Sequence, residues 1–481
     1  MIQIICRSEA YIYNVYHMIK AFYPSEDVVS QVEEKASNYV TVLLQDGSMI
    51  VVDADYISEE LSEKEVKYRI DTFIYQKLAD VTGHTLAWGI LTGVRPTKIA
   101  MNKLEEGWNQ ETFVPWFMDD CKVSRQKAEL SWKIAERERE LLQRLDYQDG
   151  YSLYVGIPFC PSVCTYCSFS SGALAEWEHR VEDYLQALCK ELCFIGKRSA
   201  GKKLNSIYIG GGTPTTLSAS QMDRLLDCIE EYFPREYLLE YTVEAGRPDS
   251  ITREKLEVIK KHGITRISIN PQSMQQKTLE AIGRKHSVEE IIEAYHLARE
   301  IGFDNINMDI IAGLPGEDME DMQDTLRQIE RLAPDSLTVH SLAIKRAAKM
   351  KLKDLEQDTQ KISRTLSGMI LEASEAAKRM DLVPYYLYRQ KNIAGNFENV
   401  GYAKVDKAGI YNILIMEEKQ SIIAAGAGAS TKIVLPEAIL VPGSKKKKMT
   451  RLIRVENVKA IDAYIERIDE MIERKGEWLW H

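Results

Sequence analysis

From Ser152 onward, short runs of β-branched and aromatic residues alternate with amphipathic runs whose apolar positions recur every three or four residues. That rhythm predicts repeated β/α units around a parallel sheet. The predicted strands are Ser152–Ile157, Ser206–Ile209, Leu238–Val243, Thr265–Ile269, Asn305–Ile311 and Ser336–His340, separated by helical runs at Trp177–Lys197, Ala219–Tyr232, Thr252–His262, Val288–Ile301 and Asp318–Leu332. Gly263 and Gly302 stand where two of those helices should stop. Six such units predict an α/β fold, a partial (β/α)6 barrel with its chemistry at the carboxyl ends of the strands.

Before this lies a region of different pattern. A β start is followed by a strand-like Tyr39–Leu44, paired across Asp46-Gly47 with Met49–Val52, and by helical runs at Glu63–Thr82 and Ser124–Arg144. After Lys345 a long charged helix is predicted, then strands near Tyr411–Met416 and Ser421–Ala425. Three regions are therefore expected: an N-terminal α+β region over 1–150, the barrel over 151–345, and a C-terminal α+β domain over 346–481 that covers the substrate.

A formal net charge of −10 gives no general attraction to nucleic acid or anionic membranes. No apolar stretch approaches bilayer length, and the first residues lack the basic start of a signal peptide, so a cytoplasmic protein is expected. Eight cysteines then read as reduced thiols and ligands. The Lys445–Lys448 run is a solvated loop in this reading, and Leu91-Thr-Gly-Val-Arg95-Pro96-Thr97-Lys98 is either an anion-binding turn or a turn into a helix.

The densest chemistry is Cys160-Pro-Ser-Val-Cys164-Thr-Tyr166-Cys167, three thiols in eight residues just after the first barrel strand. A structural zinc half-site or three core thiols would be the plain readings. No second Cys-x-x-Cys or Cys/His pair with zinc-ligand spacing follows. Three thiolates can instead each hold one iron of a [4Fe-4S] cube and leave the fourth iron open. Cys189 and Cys193, one turn apart on a helix, could hold a second cluster, but with Leu185 and Leu192 on the same face they read as core packing, as do Cys6, Cys121 and Cys228. The second strand runs into Gly210-Gly211-Gly212-Thr213-Pro214, where missing Cβ atoms let backbone approach a ligand, and Glu244, Gln272 and Asp309 fall on the same strand-end rim.

The Cys-x-x-x-Cys-x-x-Cys spacing with an aromatic before the last cysteine resembles the radical S-adenosylmethionine (SAM) enzymes. Further motifs narrow the resemblance to the oxygen-independent coproporphyrinogen III oxidase family. They are Ser-Leu-Tyr154-Val-Gly-Ile-Pro-Phe-Cys, Gly-Gly-Gly-Thr-Pro, Arg266-Ile-Ser-Ile-Asn-Pro-Gln272-Ser, Gly283-Arg284-Lys-His286, Asp309-Ile-Ile-Ala-Gly313-Leu-Pro315 and Ala425-Gly-Ala-Gly-Ala-Ser430. The long first region, with Pro384-Tyr-Tyr-Leu-Tyr388-Arg389-Gln-Lys-Asn392 and Glu398-Asn399-Val-Gly-Tyr402-Ala, is similar to the coproporphyrinogen dehydrogenase subgroup of HemZ type. This resemblance implies a [4Fe-4S] cluster on Cys160, Cys164 and Cys167. It implies SAM bound by Gly211, Gly212 and Thr213, with Glu244 at its methionyl group, Gln272 and Asp309 at the ribose, Arg284 at the carboxylate and Tyr166 on the adenine. Tyr154 and Arg389 would serve the reaction itself, Arg389 as a clamp on a propionate.

The implied reaction is oxidative decarboxylation of two propionates of coproporphyrinogen III to vinyl groups, giving protoporphyrinogen IX in haem biosynthesis. The implied partners are the tetrapyrrole and an electron donor such as flavodoxin or ferredoxin. Three departures bear on substrate. Phe169 stands where typical oxidases carry a fourth cysteine, Gly156 replaces their histidine, and Glu398 stands where the related haem chaperones carry a histidine. A different radical reaction on a tetrapyrrole, such as haem ring opening with methyl transfer, and haem trafficking without turnover are the alternatives.

Overall fold

In the computed structural model, which describes residues 1–58, 60–143, 145–147, 149–169, 171–343, 359–389, 397–441 and 449–480, alternation of buried Ile2, Ile4 and Cys6 makes the first strand, β1 (Ile2–Cys6). Helix α1 (Glu9–Phe22) follows, then β2 (Val28–Val32), β3 (Val40–Leu43) and β4 (Met49–Val52) in a sheet of order β2-β1-β3-β4. The β3–β4 turn forms as its Asp-Gly pair predicts: Gly47 takes φ +83 and Asp46 Oδ1 accepts from the Ser48 amide. Helix α2 (Glu63–Thr82) begins on a Ser62–Glu65 capping box and ends on left-handed Gly83. Helices α3 (Thr97–Glu105), α4 (Gln110–Cys121) and α5 (Arg125–Leu142) complete the run. Two compact units result. The first comprises Met1–Arg137, His340–Leu371 and Leu387–Val400; the second comprises Glu138–Val339, Glu372–Tyr386 and Gly401–His481.

The second unit carries the β/α rhythm. In order it contains β5 (Gly150–Ile157), the short pair β6 (Phe159–Cys160) and β7 (Gly172–Ala173), α6 (Leu174–Trp177), α7 (Val181–Arg198), β8 (Lys203–Gly211) and α8 (Ala219–Tyr232). Then come β9 (Glu240–Gly246), α9 (Arg253–Lys261), β10 (Arg266–Ile269), α10 (Gln276–Ala281), α11 (Val288–Ile301), β11 (Ile306–Ala312), α12 (Met319–Leu332) and β12 (Ser336–Ser341). The remaining elements are α13 (Thr359–Arg379), β13 (Val383–Arg389), β14 (Glu398–Ala403), α14 (Ile410–Glu417), β15 (Ser421–Ala425), β16 (Ser430–Leu440), β17 (Met449–Glu456), α15 (Ile461–Glu466) and α16 (Ile468–Gly476). Ser218 and Ser287 start α8 and α11 with capping boxes, and Gly302 ends α11 at φ +99.

All six expected barrel strands form, and β5, β8, β9, β10 and β11 pair in parallel. Their sequences are almost wholly buried, as strands covered on both faces must be. The sheet, of order β13-β14-β12-β11-β10-β9-β8-β5-β15-β16-β17, does not end at six strands and stays open. β15 joins β5 in parallel, and β16 and β17 continue it antiparallel.

The segment Tyr411–Met416, expected as a strand, is the helix α14 instead. A short apolar run does not separate the two states by periodicity. Here the buried Glu240 carboxylate accepts from the Ile410 and Tyr411 amides and fixes a helix N-terminus. The helix expected from Trp177 starts in earnest at Val181, after α6 and one 3₁₀ turn. Arg144, the boundary at Lys345 and 346, the segment 390–392 and the Lys445–Lys448 run lie outside the described residues. No helix among the described residues is long and apolar enough to cross a membrane.

Candidate active site

The cysteine loop is built on the end of β5. The Gly172 amide donates to Pro158 O at 2.9 Å and β6 pairs with β7, which closes the base of the loop. Within it the Cys167 amide turns back onto Cys164 O at 3.1 Å, and the Thr165 amide reaches Ile282 O at 3.0 Å. Cys164 is buried, whereas Cys160 and Cys167 are half-buried; burial raises the thiols of Cys160 and Cys167 above their ordinary range. Among the described residues, one set of three His, Cys, Asp or Glu ligand atoms lies within 4.8 Å of one another, namely Asp227, Glu230 and His262. The three loop thiols do not converge on a single ion in that way. One iron per thiolate in a polynuclear cluster suits such spacing.

The glycine turn packs directly against this loop. The Gly212 amide donates to Ile157 O and the Thr213 amide to Phe159 O, both at 2.7 Å, and the Thr213 hydroxyl lies 3.7 Å from Cys160 Sγ. A Cβ on Gly212 would stand 2.5 Å from Phe159 O, closer than any side chain tolerates, while Gly211 sits at φ +110. On the next strand Glu244 accepts a hydrogen bond from the Tyr208 hydroxyl and one from the Gly211 amide. Burial, with the Asp309 charge nearby adding to it, pushes the Glu244 carboxyl up to about 7.

Gln272 and Asp309 meet through the backbone: the Gln272 amide donates to Asp309 O and the Ile311 amide to Gln272 O, both at 2.9 Å. Gln272 holds φ +67, a left-handed conformation that costs a side-chain-bearing residue about 1–3 kcal/mol and tends to be kept where function fixes it. Arg284, buried, donates to Asn270 O at 2.5 Å and faces both Tyr166 and Cys164. Tyr154 stacks with Tyr208 and Tyr411, at centroid separations of 6.3 and 6.1 Å. On β5, β8, β9 and β11, the residues Tyr154, Tyr208, Glu244 and Asp309 are part-exposed between fully buried neighbours, so these four line an accessible inner surface.

Arg247, Asp249, Ser268 and Asn270 are given no role by the motifs. Arg247 donates to Ser162 O and Ser162 Oγ at 2.9 Å, lies 3.9 Å from Cys164 Sγ, and is clamped by Asp249. Burial opposes ionisation of Asp249, yet the Arg247 bonds and the His286 ring, 3.6 Å away, hold its carboxyl well below the usual range. The buried side-chain oxygens of Ser268 and Asn270 have no hydrogen-bond partner among the described residues. Buried orphan acceptors of this kind call for a polar ligand.

Arg389 lies in the first unit. It is buried, donates to Leu91 O at 2.8 Å and Gly93 O at 3.3 Å, and stands over the Trp88 ring at 5.7 Å. Nη1 of this side chain, which is expected to clamp a propionate, thus bonds main-chain carbonyls of the segment before Arg95. Burial lowers the pKa of its guanidinium to about 10, with Glu398 acting in the opposite direction. Glu398 is itself buried, ion-paired with Lys127 and bonded by Trp88 Nε1 at 2.7 Å. Lys98 is exposed at the start of α3 and Arg95 is half-buried; Phe169 is 72 % exposed.

A thiol loop on the first strand of an open parallel barrel, beside a glycine turn and two carboxylates, defines a radical SAM protein, and the Radical SAM superfamily profile matches residues 154–329. Its cofactors are a [4Fe-4S] cluster and SAM. The chain is 39% identical over 468 residues to the oxygen-independent coproporphyrinogen-III oxidase-like protein HemZ of Bacillus subtilis, covering 95% of this chain and 91% of that one. It therefore belongs to the oxygen-independent coproporphyrinogen III oxidase family, with the HemZ type as its near relative. It is also 36% identical over 194 residues to the heme chaperone HemW of the same organism, covering 40% of this chain and half of that one. The fold is similar to that of coproporphyrinogen III oxidase (HemN) of Escherichia coli, with a TM-score of 0.53 and 23% identity over 69% of this chain and 73% of that one.

Proposed function

We propose that this protein catalyses oxygen-independent oxidative decarboxylation of coproporphyrinogen III to protoporphyrinogen IX. The observation that supports a turnover function is the gathered site itself: the glycine turn contacts both the thiol loop and Glu244, Asp309 bonds Gln272 through the backbone and places its charge near Glu244, and Arg284 faces the thiol loop. Cys160, Cys164 and Cys167 would hold the cluster. When bound, cluster and SAM supply a carbon radical that abstracts a hydrogen atom from substrate.

The chain's own residues bind and orient. Glu244 and the Gly211–Thr213 backbone would take the methionyl amino group, Arg284 the carboxylate, and Gln272 with Asp309 the ribose hydroxyls, leaving Tyr166 to pack on the adenine. Tyr154 would stand at the substrate side of the same pocket, stacked with Tyr208 and Tyr411. Loss of one β-hydrogen atom, carbon dioxide and one further electron turns each propionate into a vinyl group, so an electron acceptor is required as well as a donor such as flavodoxin or ferredoxin.

The substrate is supported by likeness to HemZ across almost the whole chain, the first region included. Haem trafficking is disfavoured by Glu398: at the position of the chaperones' histidine stands a buried carboxylate engaged by Lys127 and Trp88, not a free iron ligand. The test is anaerobic turnover of reconstituted protein with SAM, dithionite, an electron acceptor and coproporphyrinogen III, with products identified by mass. Formation of 5′-deoxyadenosine with two losses of carbon dioxide per macrocycle is expected. Cleavage of SAM with coproporphyrinogen untouched, alongside haem consumed or bound, would move the assignment to one of the other tetrapyrrole readings.

A further inference from the structure

Away from the active site, three thiols gather where α7 meets α8. Cys189 and Cys193 lie one turn apart on α7, and Cys228 reaches across from α8. The Cys228 Sγ is 4.0 Å from Cys189 O, its thiol is in hydrogen-bond contact with that of Cys189, and Cys193 contacts the Tyr232 hydroxyl. All three are free and half-buried, not part of the core as their helical spacing suggests. They do not share a single-ion site, since their ligand atoms do not form a mutually close set. The pair Cys189 and Cys228 is the close one.

We propose that Cys189 and Cys228 form a redox-active dithiol that low-molecular-weight disulfides convert to an intramolecular disulfide joining α7 to α8. The contact and partial exposure supply proximity and access. The direction of attack follows from the surroundings. A hydrogen bond from Cys228 holds the Cys189 thiol below its ordinary range against the pull of burial, and the Arg224 charge adds to this. Cys228 is shifted the opposite way by the same partner.

The Cys189 thiolate attacks one sulfur of the oxidant, forming a mixed disulfide and releasing one thiolate. Cys228 then gives up its proton and attacks the Cys189 sulfur, displacing the second thiolate. Two protein thiols lose two electrons and two protons, and the oxidant leaves as two thiols. No cluster ligand takes part.

The test treats anaerobically reconstituted holoenzyme with excess oxidised glutathione, blocks remaining thiols with iodoacetamide, and maps peptides by mass without reduction. The expected map contains the Cys189 and Cys228 peptides cross-linked, lighter by two hydrogens than their sum and separated by dithiothreitol. Cys193→Ser should leave that cross-link in place, and Cys228→Ser should replace it with a glutathione adduct on Cys189. Cys189 and Cys228 both recovered alkylated, while the oxidant has modified Cys160, Cys164 or Cys167, overturns the proposal. So does a cross-link of Cys189 to Cys193 as the main product.

Discussion

The half-ionised state of Glu244 at neutral pH gives a sharp test of the SAM pocket. In the protein without SAM, burial lifts this carboxyl from its ordinary 4.5 to about 7, a displacement worth about 3 kcal/mol. Between those pH values the folded chain holds a proton that the unfolded chain has released, so this group's contribution to stability falls as pH rises, and the loss is complete above pH 7. SAM binding runs the other way. A carboxylate that accepts from the methionyl amino group must first lose its proton, so apparent affinity rises with pH through the same window. With a group titrating at about 7, the gain from pH 6 to pH 8 is about tenfold.

The SAM amine also titrates, and Glu244→Gln separates the two. The variant cannot ionise, so its affinity should be lower at pH 8, by roughly ten- to a hundredfold for a lost charged acceptor, and its pH profile should lack the Glu244 component. Equilibrium dialysis of labelled SAM against cluster-loaded protein at pH 6, 7 and 8 measures both. Parallel pH profiles for wild type and Glu244→Gln would refute the reasoning, because they would mean that Glu244 is not coupled to the ligand.

What the sequence made legible was whatever recurs locally. The period of apolar residues located the six barrel strands and most helices to within a few positions, because a buried parallel strand and an amphipathic helix each leave a signature within a dozen residues. Cysteine spacing and the glycine triplet were legible for the same reason. Long-range pairing left no such trace: that Ser421–Ala425 adds to the edge of β5, extending the barrel sheet to eleven strands, depends on a partner some 270 residues away. Tyr411–Met416 reads as a strand yet folds as a helix because the deciding group, Glu240, sits on another strand. Arg247 escaped notice because its task, bracing Ser162 and Cys164, exists only once the loop is folded. That Nη1 of Arg389 donates to the Leu91 and Gly93 carbonyls, almost 300 residues earlier, is likewise a contact that no local pattern announces.

Replacing Cys160, Cys164 or Cys167 singly by alanine should abolish the cluster, read as iron and sulfide content after anaerobic reconstitution, whereas Cys189→Ser with Cys193→Ser should leave iron unchanged. Gly212→Ala places a methyl 2.5 Å from Phe159 O; overpacking of that kind costs about 1–3 kcal/mol, and both melting temperature and SAM affinity should fall. The last test concerns the closing helix. Lys475 and Glu191 are fully buried partners, and Glu191 also accepts from the Gly426 amide at 2.9 Å and the Tyr464 hydroxyl at 2.6 Å. Gly426 in turn lies so close to Gly156 that a Cβ on it would stand 2.5 Å from the Gly156 carbonyl. Lys475→Met therefore leaves a buried carboxylate without its counter-charge, a loss of about 3–5 kcal/mol, while adding Glu191→Gln removes that charge and should recover much of it. Thermal unfolding of the single and double variants decides the matter: if the double variant is no more stable than Lys475→Met alone, charge compensation is not what holds α16 against α7.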